Sequence, residues 1–133
     1  MALKSAIIHS DIILHLIDEE SKVHEKAVKL IENLRELLIP SIVFLDVIEK
    51  AKKIKLRSEM LKIKLKDILH NPRLIFIPIQ PEALSEALDK ALALSSLTEY
   101  IVLYYARKYV KPIATFDVKL QAKARRLGLM VIC

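Results

Sequence analysis

From residue 5 onward, short apolar runs alternate with longer amphipathic segments, and this alternation constrains the fold more than any other feature of the chain. The runs SAII (5–8), ELLIP (36–40), LIFIPI (74–79), KPIATF (111–116) and LMVIC (129–133) are bounded by turn residues or charges and read as strands. Between them, DIILHLI, SKVHEKAVKLIENL, IVFLDVIEKAKKI, SEMLKIKLKDIL, EALSEALDKALAL, SSLTEYIVLYYARKY and DVKLQAKARRLG read as helices. The second of these sets Val23, Ala27, Leu30, Ile31 and Leu34 on one face at helical spacing. Ser41 is placed to cap its helix, Ser96 and Glu99 have capping-box spacing, and Gly128, the only glycine, closes the last helix. Strand and helix in steady succession predict a three-layer α/β/α sandwich around a mainly parallel five-stranded sheet, in one domain spanning 1–133.

Charged residues interrupt every apolar stretch before about 18 residues, so no membrane-spanning helix is expected. The opening MALKSAII is too short for a signal peptide, and a cytoplasmic location is expected. The single cysteine, Cys133, excludes a disulfide framework and a cysteine-based metal site. One glycine, two asparagines and two glutamines beside abundant Ile, Leu, Lys and Glu match the tendencies of thermophilic proteins. The net charge of +6 is localised: Lys50 to Lys66 holds eight basic residues against Glu59 alone, and Arg107 to Arg126 holds seven against Asp117 alone. Such clustering favours contact with a polyanion, with a solvated helix face as the alternative for either run taken singly. Lys50, Lys52, Lys53, Lys119 and Lys123 are the candidate phosphate contacts.

Ligands of parallel α/β sheets bind beyond the carboxyl ends of the strands. His9 and Asp11 follow the first strand, Asp46 lies just inside the helix after the second, Glu99 opens its helix, and Asp117 follows the fourth strand. Asp46 is the most anomalous, since it interrupts IVFLDVI and a carboxylate among apolar neighbours needs a partner. Each acid has a structural alternative: Asp11 and Asp117 as N-caps, Glu99 as half of a capping box, and Asp46 paired with Lys50 one turn on. Taken together, several acids at one sheet edge repel one another, and a bound divalent cation is the usual compensation.

These residues resemble those of a PIN domain, the compact nuclease fold that includes the VapC-like toxins of toxin–antitoxin pairs. HSDII (9–13) stands where the family has Asp-Thr-x-Val-Leu, PSIVFLD resembles its Pro-Ser-x-x-x-x-Glu helix, and SSLTEYI resembles its Leu-Ser-Leu-x-Asp-Ala element. TFD matches its Thr-x-Asp outright, and SKVHEKAVKLI and ARRLGLMVI are similar to its second helix and to its closing helix and strand. The resemblance covers essentially the whole chain and implies a ribonuclease that cleaves single-stranded RNA with Mg²⁺ or Mn²⁺. On that reading Asp46, Glu99 and Asp117 are the catalytic acids and metal ligands, with His9 or Asp11 completing the metal site. It also implies a homodimer and, for a toxin, a small antitoxin partner. A catalytically silent module that binds RNA or a protein partner is the alternative.

Three positions depart from the family pattern. Asp46 stands for Glu and Glu99 for Asp, which shifts the reach of each carboxylate by about 1.5 Å. His9 replaces the first acid with an imidazole, and three readings of it stay open. It is a ligand suited to Mn²⁺ or Zn²⁺, or Asp11 supplies the missing carboxylate, or the site is degenerate. His15, His24 and His70 lack metal-ligand spacing, and Tyr100, Tyr104, Tyr105 and Tyr109 read as a core or dimer face more readily than as a base-stacking one.

Overall fold

The computed structural model describes residues 5–133, and five strands and seven helices alternate through them. The strands are β1 (Ser5–Ile8), β2 (Glu36–Pro40), β3 (Leu74–Ile77), β4 (Ile113–Ala114) and β5 (Val131–Ile132). The helices are α1 (Ser10–Ile17), α2 (His24–Glu32), α3 (Ser41–Ala51), α4 (Ser58–Leu69), α5 (Pro81–Leu88), α6 (Leu94–Tyr109) and α7 (Val118–Arg126). All pairings are parallel and the sheet order is β3-β2-β1-β4-β5. Every residue of β1 is buried although successive side chains point to opposite faces, so the middle of the sheet is covered on both sides, as the alternation predicts. Ile7, Ile8, Ile12, Ile39, Val43, Ile101, Val102, Tyr105 and Ile113 lie in the core that strands and helices share.

Several local expectations need correction. Ser41 is the first residue of α3 rather than its cap, Pro40 takes the N-cap position, and no side chain caps that helix. The Ser96–Glu99 capping box does not form, because α6 already starts at Leu94 with Ala93 at its N-cap. Glu99 therefore sits in the second turn. The segment read as one helix from 82 to 94 stops at Leu88, and a turn through Asp89 and Lys90 leads toward α6. Helix α2 is shorter than its pattern, starting at His24, while Ala27, Leu30 and Ile31 on its apolar face are buried as expected. Gly128 lies one residue beyond the C-cap Leu127 with φ 76°, a conformation that glycine adopts at little cost.

The chain leaves β1 toward β2 and β3 on one side and returns to place β4 and β5 on the other, so the strand order reverses between β1 and β4. At such a reversal the connections leave in opposite directions and open a crevice outside the carboxyl ends. His9 and Asp11 stand at the end of β1, and Thr115, Phe116 and Asp117 at the end of β4. Among the described residues, no helix is long and apolar enough to cross a membrane.

Candidate functional site

The crevice between β1 and β4 is bridged by a hydrogen-bond network. His9 is 2% exposed, and its Nδ1 lies 3.0 Å from Asp11 Oδ1 and 3.0 Å from Thr115 Oγ1. A carboxylate only accepts, so Nδ1 carries the proton toward Asp11, and Nε2 is the ring's other polar atom. That atom is buried without a hydrogen-bond partner. Asp11 also accepts from Phe116 N–H at 2.9 Å and from the Thr115 hydroxyl at 3.1 Å, while Thr115 Oγ1 accepts from Asp117 N–H at 3.1 Å. Burial pushes the Asp11 carboxyl up, but the His9 hydrogen bond and charge, the Phe116 N–H and the Thr115 hydroxyl outweigh it and hold the group below the ordinary aspartate range. Asp11 thus lies in the first turn of α1, reaching across to β4, rather than capping its own helix.

Asp46 is 1% exposed on α3. Its Oδ2 accepts from the Ser10 hydroxyl at 2.6 Å and lies 3.0 Å from the Lys50 ammonium, which also donates to Ser10 Oγ at 3.3 Å. The i to i+4 pairing open in the sequence is therefore formed, with the acid on the N-terminal side as the helix favours. Asp117 is the N-cap of α7, accepting from Lys119 N–H at 2.9 Å and Leu120 N–H at 3.2 Å. Glu99 lies 3.8 Å from the Lys123 ammonium, which also sits over the Tyr100 ring. The carboxyl edge thus carries every expected acid, each turned to a donor or cation of its own chain.

Of the expected phosphate contacts, Lys53 and Lys119 are exposed, Lys52 pairs with Glu49 on the surface, and Lys50 and Lys123 face Asp46 and Glu99. Ser10 and Thr115 were missed as site residues. Thr115 has a legible signal in the TFD motif, whereas nothing in the sequence shows that Ser10 faces α3. The remaining histidines are structural where they are bonded: His15 Nδ1 lies 2.7 Å from Ser21 Oγ, and His24 Nδ1 donates to the His15 carbonyl at 2.9 Å. Tyr105 is buried, its hydroxyl donating to the Pro78 carbonyl and accepting from Gln80 N–H.

The acids of this parallel α/β/α sandwich lie at the strand-order reversal, where ligands of such folds bind. The profile of the PIN domain family matches residues 6–132, so the chain belongs to the PIN domain family, a nuclease family whose enzymes generally use divalent metal ions. Among solved structures it resembles the sarcin-ricin loop cleaving toxin VapC20 of Mycobacterium tuberculosis, with a TM-score of 0.73 at 9% identity over 89% of this chain and 94% of that one. VapBC2 of Rickettsia felis, solved with a DNA fragment from its promoter, gives 0.60 at 19% identity over 96% and 97%. FitAcB of Neisseria gonorrhoeae gives 0.59 at 12% identity over 96% of each chain. At these identities the likeness is one of fold. No curated protein matches the chain.

The family's metal gives the arrangement a direct test. Hard divalent cations are held by converging oxygen ligands with few competing donors. Among the described residues, no three His, Cys, Asp or Glu side chains are gathered to hold a metal ion. His9 is tied by Nδ1 to Asp11 and Thr115. As arranged, these side chains do not fit the metal.

Proposed function

We propose that the chain is a PIN-type protein that binds single-stranded RNA along the carboxyl edge of its sheet, with cutting held off in this arrangement. The observation that carries this reading is the dispersal of the acids: Asp11 to the β4 end, Asp46 to Ser10 and Lys50, Glu99 toward Lys123, and Asp117 to the α7 cap. Exposed Lys53 and Lys119, with Lys52, supply the sequence-independent phosphate attraction that such binding needs. The test is cleavage and binding of end-labelled single-stranded RNA in Mg²⁺, in Mn²⁺ and in EDTA. The reading predicts salt-sensitive binding without metal-dependent products. Cutting that requires Mg²⁺ or Mn²⁺ and disappears in Asp117→Asn would replace it.

The replacement would be a metal-dependent endoribonuclease, with Asp46, Glu99 and Asp117 as its catalytic acids and His9 and Asp11 beside them. One observation favours it: all three acids remain on the edge, and the lysines facing Asp46 and Glu99 are each about one-third exposed, with room to swing into solvent. A homodimer, a cytoplasmic location and a toxin role opposite a small antitoxin belong to that reading through the family resemblance. Co-purification with the product of an adjacent short reading frame would support the antitoxin.

A further inference from the structure

We infer that Lys50 is the built-in counter-ion of this site, a tethered ammonium that does the electrostatic work a bound divalent metal does in other proteins of the fold. The inference rests on the reading above in one respect, that the acids hold no metal. An aspartate with 1% exposure inside an apolar helix face needs a cation or neutralisation, because an unpaired buried charge is strongly destabilising. Here the cation comes from the next turn of the same helix.

The geometry is a closed triangle. Lys50 Nζ stands 3.0 Å from Asp46 Oδ2 and 3.3 Å from Ser10 Oγ, and Ser10 Oγ donates to Asp46 Oδ2 at 2.6 Å. The serine hydroxyl has one proton and gives it to the carboxylate, so it receives the lysine proton on a lone pair, and Asp46 Oδ2 takes both a hydroxyl and an ammonium. The lysine is not a surface ion pair of negligible value, since its partner is buried and the third member ties α3 to the start of α1. A metal at Oδ2 would have to displace the ammonium and compete with a hydrogen-bonded hydroxyl.

Thermal melting of the full chain in millimolar Mn²⁺ or in EDTA, without RNA, reads this directly. Wild type and Lys50→Arg should melt at the same temperature in both conditions. Lys50→Gln should melt roughly 5–10 °C lower in EDTA and recover most of that loss in Mn²⁺. The double variant Asp46→Asn/Lys50→Gln should lose the Mn²⁺ response. A clear Mn²⁺-induced rise in the wild type would overturn the inference, as would a Lys50→Gln protein that melts like wild type in EDTA or that ignores Mn²⁺. If Lys50→Gln fails to fold, titration of the wild type with Mn²⁺, followed by the electron paramagnetic resonance of the free ion, decides the matter. No uptake supports the counter-ion, and stoichiometric uptake removes it. Failure of the wild type to bind RNA would end the functional reading and leave these melting results standing. An Mn²⁺ rise with RNA binding intact would end the counter-ion and the claim that the acids hold no metal, and leave the RNA-binding part of the reading standing.

Discussion

Asp11→Ala tests whether the β1–β4 crevice is held by the network described. The Asp11 carboxylate accepts from three groups: Phe116 N–H at 2.9 Å, the Thr115 hydroxyl at 3.1 Å and His9 Nδ1 at 3.0 Å. Truncation leaves all three without this acceptor, and a buried donor left unpaired costs about 1–3 kcal/mol. The Asp11 side chain is 18% exposed, so water reaches part of the gap and the lower end of the range applies to each donor. The expected loss is about 3 kcal/mol, or a fall in Tm of roughly 10 °C for a domain of this size. Urea unfolding measures it, and the slope m should not change. The sign of the pH dependence follows from the depressed native pKa. The group's contribution is complete above its unfolded pKa near 4 and is lost as pH falls through the lower native value. Wild type should therefore lose stability more steeply than Asp11→Asn below about pH 4. A loss below about 1 kcal/mol in Asp11→Ala, or parallel acid limbs in wild type and Asp11→Asn, would refute the reasoning.

Tyr105→Phe removes a hydroxyl that joins Pro78 O and Gln80 N–H where β3 leads into α5, and a loss of about 1–2 kcal/mol in chemical denaturation is expected. Asp117→Ala deletes the α7 cap and should cost about 1 kcal/mol by the same measurement, a check that separates its capping role from any loss of activity. For RNA binding, Lys53→Gln and Lys119→Gln should each weaken affinity uniformly across sequences and reduce the slope of log K against log salt by about 1, read by fluorescence anisotropy over a salt series.

The elements were legible because their signals are local. β1, β2 and α4 fall at the boundaries their patterns suggest, and Ile7, Ile8, Val43 and Ile101 lie in the core as apolar residues inside strands and helices should. The errors are also local but arise from competition. Ser41 and Ser96 carry capping chemistry in the wrong frame, since Pro40 supplies the extended N-cap geometry at one site and α6 starts two residues before Ser96 at the other. The acids at the carboxyl edge could be read from order and spacing, but not where each carboxylate turns. That depends on partners far away in sequence: Thr115 and Phe116 for Asp11, Ser10 for Asp46, and Lys123 for Glu99. Two partners were within reach of a sequence argument: Lys50, one helical turn from Asp46, and the first N–H groups of α7 that Asp117 caps.

The pairing of Asp46 with Lys50 also has consequences for what the fold can do. The stabilisation a metal gives rises with the logarithm of one plus its free concentration over its dissociation constant, so a site that depends on it weakens when the ion is scarce. A lysine four residues along the same helix is held at high effective concentration whatever the medium, and the carboxylate stays paired. What the ammonium lacks is the chemistry: it cannot lower the pKa of a bound water or polarise a phosphoryl oxygen as a coordinated cation does. Stability that does not depend on metal and cutting that does thus pull Asp46 in opposite directions. On the proposed reading, the contacts among Ser10, Asp46 and Lys50, with His9 turned to Asp11 and Thr115, commit Asp46 to stability.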